Sequence, residues 1–237
     1  MKIKHMISTI VFGLLVCSAG LYASEPAKEG TLSVTITPGA SWKTERDPQF
    51  AVWVEKADGT YVTTLYVTQR AAKKNWLFAP KGGRPESLPV WYHAVGSASV
   101  VAKAQPDQSD TDALTSATPG AAGDVRKSAR LSAGEVYVVK VEVNHSFDYN
   151  ESWPKKAKKG SAQYSGVNGQ PSVVYAGTLD MRSAGSGTNY ADVRTALVPA
   201  GTGAVDGRDG NLHDDLGKLT TALQIVGKAE AAWSTAE

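Results

Sequence analysis

The chain has 237 residues, with 25 Lys and Arg against 23 Asp and Glu, and a single cysteine. The near-balance of charge excludes the strongly basic surface that is typical of nucleic-acid-binding proteins. A single cysteine excludes an internal disulfide framework. The length suffices for one good-sized core with long insertions, and we predict a single domain.

The N-terminal segment predicts export. Lys2 and Lys4 precede an apolar run at 6–16, and small residues follow it. This order is typical of a cleaved secretory signal peptide, which we assign to 1–23, leaving 24–237 as a mature periplasmic domain. The apolar run is too short for an anchor, and no later stretch reaches the ~20 apolar residues of a transmembrane helix.

Cys17 leaves a lipid-anchor alternative open, although Val16 stands where lipid-attachment sequences have a small residue. Cleavage after Ala23 removes the only cysteine and two lysines, Lys2 and Lys4. The mature chain then has equal numbers of basic and acidic residues and no thiol ligands or thiol nucleophile.

The mature sequence is organised as short β-branched and aromatic runs bounded by turn residues. Alternation predicts a strand at 32–37, and a hairpin follows with Ala57-Asp58-Gly59 as its turn. Further strands are predicted at 136–143, 173–179 and 219–233, where we favour a terminal strand over an Ala-rich helix at 224–233. The pattern predicts an all-β, antiparallel β-sandwich with long loop insertions at 79–89, 103–132 and 182–217.

The second long loop contains the acceptor motif, which we define as Asp112-Ala113-Leu114-Thr115-Ser116-Ala117-Thr118. It resembles the Asp-x-x-Ser/Thr-x-Ala-Thr site at which a Mg-dependent flavin transferase esterifies a threonine with the FMN half of FAD. A hydroxyl must be activated by a base and a metal-held leaving group before it attacks. Thr118 is the candidate nucleophile, and Asp112 and Thr115 are expected to shape the peptide for the transferase.

The motif departs from its commonest form in having Ser116 in place of glycine, and Pro119 restricts the backbone further. The alternative is an ordinary connecting loop, because Ser, Thr, Asp, Pro and Gly dominate loops for local conformational reasons.

Other candidate chemistry is sparse, and we predict neither catalytic residues nor a metal site. A basic run at 155–159 and an acidic run at 206–215 are interpreted as solvated loops, with an anion site and a Ca²⁺ site as the respective alternatives. Trp53, Trp76 and Trp91 either line a surface groove for a sugar or flavin ring or belong to the core. No Gly-x-Ser-x-Gly or His-Glu-x-x-His pattern occurs.

Several segments together resemble a family of predicted periplasmic proteins of unknown function. They are Ala51-Val52-Trp53-Val54-Glu55, Asp58-Gly59, Val62, Thr64-Leu65, Val67, Lys74-Asn75-Trp76, Trp91 and the start of the acceptor motif. The resemblance covers about 31–145. His145 also falls where the family tends to carry a Glu-His pair.

That family is similar to the immunoglobulin-like domain of flagellar hook-capping proteins, and its genes often lie near flavin transferases and PepSY-type membrane reductases. The resemblance implies an immunoglobulin-like sandwich that serves as an accessory of flavin-linked electron transfer. Its implied partners are a flavin transferase and a membrane reductase. The alternative is a non-catalytic interaction module that docks a membrane or envelope partner. Neither reading makes the protein an enzyme.

Overall fold

A computed structural model describes residues 28–43, 46–73, 84–102, 115–116, 124–184 and 192–235. Within these residues there are ten strands: β1 Glu29–Pro38, β2 Gln49–Lys56, β3 Tyr61–Thr68, β4 Thr115–Ser116, β5 Val125–Ser132, β6 Val136–Asn144, β7 Val173–Asp180, β8 Val193–Ala196, β9 Val198–Thr202 and β10 Val226–Thr235. The helices are α1 Gln69–Lys73 and α2 Pro89–Ala102, with 3₁₀ turns at Pro85–Ser87, Leu216–Lys218 and Thr221–Gln224. The predicted signal peptide, 1–23, lies outside the described residues.

The strands form two sheets. The four-stranded sheet has the order β5-β1-β10-β8, and the six-stranded sheet has the order β4-β3-β2-β6-β7-β9. Neighbouring strands are antiparallel except for the short pair of β3 and β4. The first strand, β1, lies beside the last, β10, whereas in immunoglobulin constant domains the first strand pairs with the second.

Both sheets contribute one face to a common apolar core. Leu32, Val34 and Ile36 of β1 are fully buried and belong to the same cluster as Val139 and Val141 of β6. The alternating burial along β1 follows from the two-residue period of a strand. The predicted all-β, antiparallel sandwich is therefore confirmed.

The hairpin of β2 and β3 turns at the predicted residues. Gly59 has a φ of 86°, a conformation that glycine adopts without a steric penalty. The Thr60 backbone N–H donates to Asp58 Oδ1 at 2.9 Å, and the Lys56 N–H donates to the Thr60 carbonyl at 2.8 Å. The sequence prediction of a tight turn at Asp58-Gly59 is confirmed.

A helix covers the outer face of the six-stranded sheet. Val90 and Trp91 of α2 pack on Ala51 and Trp53 of β2 and on Val174 of β7, forming a second apolar cluster. As a result β2 is buried on both faces, with seven of its eight residues buried. The molecule thus has a third layer over this part of the sheet, which the sequence analysis did not predict.

Two regions predicted as loops contain strands. The prediction was wrong for 103–132, which holds β4 and β5, and for 182–217, which holds β8 and β9. β5 lacks an obvious alternation because Lys127 occupies an inward position, where its Nζ lies 3.9 Å from the centre of the Tyr66 ring. The predicted loop at 79–89 likewise includes the 3₁₀ turn at Pro85–Ser87 and the start of α2.

The C-terminal segment is a strand, as predicted. β10 pairs with β1 on one side and β8 on the other, and Trp233 is completely buried. The indole N–H of Trp233 donates to the Leu131 carbonyl at 2.8 Å, which connects β10 to β5 across the sheet. The predicted strand at 219–233 starts later in the structure, since 221–224 forms a 3₁₀ turn.

Candidate functional site

The described part of the acceptor motif lies at one edge of the six-stranded sheet. Thr115 and Ser116 form β4, which pairs in parallel with Val67 and Thr68 of β3. β4 is the outermost strand of this sheet, so its backbone pairs with a neighbouring strand on one side only. Asp112 and Thr118 lie outside the described residues.

A buried carboxylate anchors α2 to the sheet. Glu142 of β6 is fully buried and accepts hydrogen bonds from the backbone N–H groups of Val90 at 3.2 Å and Trp91 at 2.8 Å. The Ser172 hydroxyl donates to the same carboxyl group at 2.6 Å. A carboxylate suits this place because the first N–H groups of a helix have no partner inside the helix and carry partial positive charge.

Burial raises the pKa of Glu142 to about 7, an effect that the hydrogen bonds from Ser172, Trp91 and Val90 partly offset. Lys140, two residues away on the same face, also favours the charged form. Glu142 is therefore a carboxyl group whose protonation state changes near neutral pH.

A second polar cluster lies beside Glu142 on the same face. The Trp53 indole N–H donates to Glu55 Oε1 at 2.7 Å, and Lys140 Nζ lies 2.6 Å from Glu55 Oε2. The Trp91 indole N–H donates to the Thr64 hydroxyl at 3.0 Å. Trp53 and Trp91 are thus buried members of the packing under α2 and line no surface groove, while Trp76 lies outside the described residues.

His145 follows β6 and is buried. Its Nε2 lies 2.8 Å from the Ser41 carbonyl oxygen, so Nε2 carries the donated proton. The contact joins the end of β6 to the turn after β1. This position gives His145 a structural role at the end of the sandwich.

A cleft of about 750 Å³ opens at the other edge of the six-stranded sheet. One wall is formed by residues between 152 and 164, which include the end of the basic run, and the other by residues between 203 and 218, which include the acidic run. Trp153, buried except for 5% of its surface, and Tyr164, 37% exposed, contribute aromatic surface. The two loops that the sequence presents separately are thus opposite walls of one site.

The acidic wall is largely neutralised by its own cations. Arg208 lies 3.7 Å from Asp206 and 3.4 Å from Asp209, and Lys218 lies 2.5 Å from Asp215. His213 Nε2 lies 3.0 Å from Asp209, and this contact lowers the pKa of Asp209. Across the described residues no group of three or more His, Cys, Asp or Glu side chains is arranged to hold a metal ion.

The cleft and the Glu142 cluster meet at Gly203. Its N–H donates to the Ser172 carbonyl at 3.1 Å, and it lines the cleft at the end of β9. A Cβ placed there would lie 2.5 Å from Ser172 Oγ and 2.9 Å from Glu142 Oε1, and would also collide with Pro89. Only glycine therefore allows the cleft wall to approach the N-terminus of α2 this closely.

Neither Glu142 nor the cleft is predicted from the sequence. A glutamate within the Val-rich run Val139-Lys140-Val141-Glu142-Val143 was a usable signal, since alternation assigns it to one face of a buried strand. The meeting of the two loops had no local signal, because it depends on contacts such as that of Asn150 with Lys218, which are 68 residues apart.

The described helices include none that is long and apolar enough to cross a membrane. Comparison with known proteins gives no relative for this chain: no family model, no curated protein and no solved structure matches it.

Proposed function

We propose that this chain is an exported, non-enzymatic accessory protein of a flavin-linked electron-transfer system, and that Thr118 carries FMN as a phosphoester. The observation that supports the proposal is the position of β4. Thr115 and Ser116 form the outermost strand of the six-stranded sheet, two residues before Thr118 in the sequence. An acceptor peptide must reach the active site of a second enzyme, and a sheet edge is a place from which a peptide segment is accessible.

The attachment step needs only a hydroxyl from this chain. The Thr118 oxygen attacks the FMN phosphorus of FAD, the bond between the two phosphates breaks, and AMP leaves. The hydroxyl proton passes to a base of the transferase, whose Mg²⁺ holds the leaving phosphate. Asp112 and Thr115 act in this proposal as recognition residues for the transferase.

When bound, FMN supplies one- and two-electron redox chemistry, which no side chain of this protein supplies by itself. In this proposal the protein carries that group outside the membrane. A membrane reductase is the proposed electron donor, and the periplasm is the proposed compartment, as the signal-peptide pattern at 1–23 suggests.

The test is the intact mass of the protein co-expressed with an active flavin transferase, beside Thr118→Ala and Thr115→Ala variants. We expect an adduct of FMN less one water on the unmodified sequence, none on Thr118→Ala and a smaller fraction on Thr115→Ala. Co-expression with a transferase lacking its metal ligands is the control. An adduct that persists in Thr118→Ala, or none at all with an active transferase, would contradict the proposal.

The second candidate is a non-catalytic interaction module of the cell envelope. It is favoured by β9, an edge strand of the six-stranded sheet on which Val198 is 57% exposed. Edge strands offer unpaired backbone groups to a partner chain. If the protein stays unmodified in the presence of an active transferase, that result favours the interaction module over the flavin carrier.

A further inference from the structure

The two walls of the cleft are held together by side-chain hydrogen bonds. Asn150 Oδ1 accepts the backbone N–H groups of Ser152 and Trp153, both at 3.0 Å, and Asn150 Nδ2 donates to the Lys218 carbonyl at 2.9 Å. Beside this link, Gln170 Oε1 accepts the Thr220 N–H at 2.7 Å. The walls therefore cannot separate without breaking these contacts, and the cleft has a preformed shape.

The cleft carries an excess of positive charge. Arg208 and Lys218 are paired with aspartates of their own wall, whereas Lys159 has no charged partner in the part of the chain that the structure describes. The remaining lysines of the basic run lie in the same turn-rich segment and are exposed: Lys155, Lys156 and Lys158. An anionic group entering the cleft would gain a charge-assisted contact with Lys159 without displacing an existing ion pair.

The uncharged lining suits a ligand with many hydroxyl groups and some apolar surface. Tyr164, which is 37% exposed, and the largely buried Trp153 both line the cleft. Gln163 and Ser161 stand on the same wall with groups that both donate and accept hydrogen bonds. Amphipathic rings beside such groups match a sugar, which combines C–H faces with hydroxyls.

We propose that this cleft binds an anionic saccharide, with Lys159 pairing with a carboxylate or phosphate substituent and Tyr164 packing on a sugar ring. The paired aspartates Asp206 and Asp215 accept hydrogen bonds from sugar hydroxyls. A peptide of acidic residues would use the lysine but would leave the aspartates facing its carboxylates.

The cleft is separate from β4, the part of the acceptor motif that the structure describes. β9, which leads into the cleft wall at Gly203, and β4 are the two outermost strands of the six-stranded sheet. Five strand spacings separate them, which corresponds to about 24 Å. Saccharide binding and attachment of FMN to Thr118 are therefore independent properties, and each can fail without the other.

The experiment is isothermal titration calorimetry of the full mature chain with three probes. They are a hexameric uronic acid saccharide, a neutral hexasaccharide of the same backbone and hexaglutamate. We expect the uronic acid hexamer to bind at least about tenfold more tightly than the neutral hexamer, because it gains one charge-assisted hydrogen bond to Lys159. It should also bind at least about tenfold more tightly than hexaglutamate, because the peptide has no sugar ring to pack on Tyr164 and no hydroxyl groups for the aspartates.

Single substitutions test which side chains contact the saccharide. Lys159→Ala should weaken binding of the uronic acid hexamer about tenfold and Tyr164→Ala by a similar factor. Lys228→Ala is the matched control, because it removes the same charge from an exposed site on the four-stranded sheet, where Lys228 pairs with Glu230. Its affinity should match that of the unmodified chain.

Three results would overturn the proposal. Equal or tighter binding of hexaglutamate, unchanged by Tyr164→Ala, would indicate an acidic-peptide site. Equal binding of the neutral hexamer, unchanged by Lys159→Ala, would show that the anionic substituent is not recognised. Absence of heat with all three probes at millimolar concentration, in a chain whose circular dichroism shows it folded, would show that the cleft is not a saccharide site.

Discussion

Both faces of the six-stranded sheet are buried where α2 covers it, yet the two faces are built from different residues. The inner face, against the four-stranded sheet, is apolar, with Phe50 and Val52 of β2 in contact with the common core. The outer face, under α2, holds Glu142 and the Glu55–Lys140 pair among its apolar residues.

The difference shows that a buried sheet face does not have to be entirely apolar. A sheet face can be covered and still hold charged groups when each has partners supplied by the covering element or the neighbouring strand. Here the N-terminus of α2 provides two N–H groups for Glu142, and Lys140 provides the counter-charge for Glu55. The inner face should therefore respond to packing volume, and the outer face to charge and pH.

The largest effect is expected on the inner face. Phe50 is fully buried and stacks on Tyr66 with ring centres 4.6 Å apart. Phe50→Ala should lower the free energy of unfolding by about 3–5 kcal/mol, because it removes apolar contacts and leaves a cavity. Chemical denaturation measures the change. Leu212→Ala, at a site that is 42% exposed, is the control and should stay within about 0.5 kcal/mol of the unmodified chain.

The next effect is a pH dependence that belongs to the outer face. Since the pKa of Glu142 is raised to about 7, the folded protein keeps a proton that the unfolded chain releases above about pH 4.5. The proton's contribution to stability is therefore complete below about pH 4.5, and the free energy of unfolding should fall by about 3 kcal/mol as the pH rises from about 4.5 to about 7, with little further change above that. Denaturation of the unmodified chain and of Glu142→Gln is measured at several pH values. The difference between their free energies of unfolding at each pH gives the contribution of Glu142. A difference that is flat, or that rises with pH, would contradict the assignment.

A comparison of two ion pairs tests whether the outer face is electrostatically distinct. Lys140 and Glu55 form a pair with side chains 16% and 7% exposed, whereas those of Lys56 and Glu135 are 44% and 48% exposed. Lys140→Met should cost about 2–3 kcal/mol because it leaves Glu55 buried without its counter-charge. Lys56→Met should cost less than about 1 kcal/mol. Equal costs in denaturation experiments would show that the cover of α2 does not shield the buried pair.

The smallest effect concerns the junction of the cleft with α2. Gly203→Ala places a methyl group against Pro89 and Ser172 and should destabilise the fold by about 1–3 kcal/mol. Gly217→Ala is the matched control, since a Cβ there meets nothing within 4 Å. Thermal unfolding compares the two variants. Equal stability of Gly203→Ala and Gly217→Ala would contradict the close contact between the cleft wall and the start of α2.

Sequence patterns predicted the parts of the fold that depend on local alternation. The strands at 32–37 and 136–143 are present because alternation places apolar residues on one face. The strand at 173–179 is a continuous apolar run whose first three residues are all buried, and the turn at Asp58-Gly59 uses the positive φ that glycine adopts freely. β5 escaped prediction because Lys127 sits at an inward position, and β8 because it is a four-residue edge strand.

The candidate sites also differ in whether a local sequence pattern predicts them. The acceptor motif is a local pattern, so the sequence alone proposes Thr118. The cleft is not local: Asn150 and Lys218 are 68 residues apart in the sequence and are brought together by the fold. Nor does the sequence indicate that α2 would cover Glu142, because 89–102 mixes Gly, Ser and β-branched residues without a clear helical period.

The most direct test of the proposed function is the mass of one tryptic peptide from protein co-expressed with an active flavin transferase. Cleavage after Lys103 and Arg126 yields residues 104–126, which contain the whole acceptor motif and five hydroxyl side chains: Ser109, Thr111, Thr115, Ser116 and Thr118. We expect fragmentation to place FMN less one water on Thr118 alone. An unmodified peptide, or an adduct on one of the other four hydroxyls, would contradict this expectation.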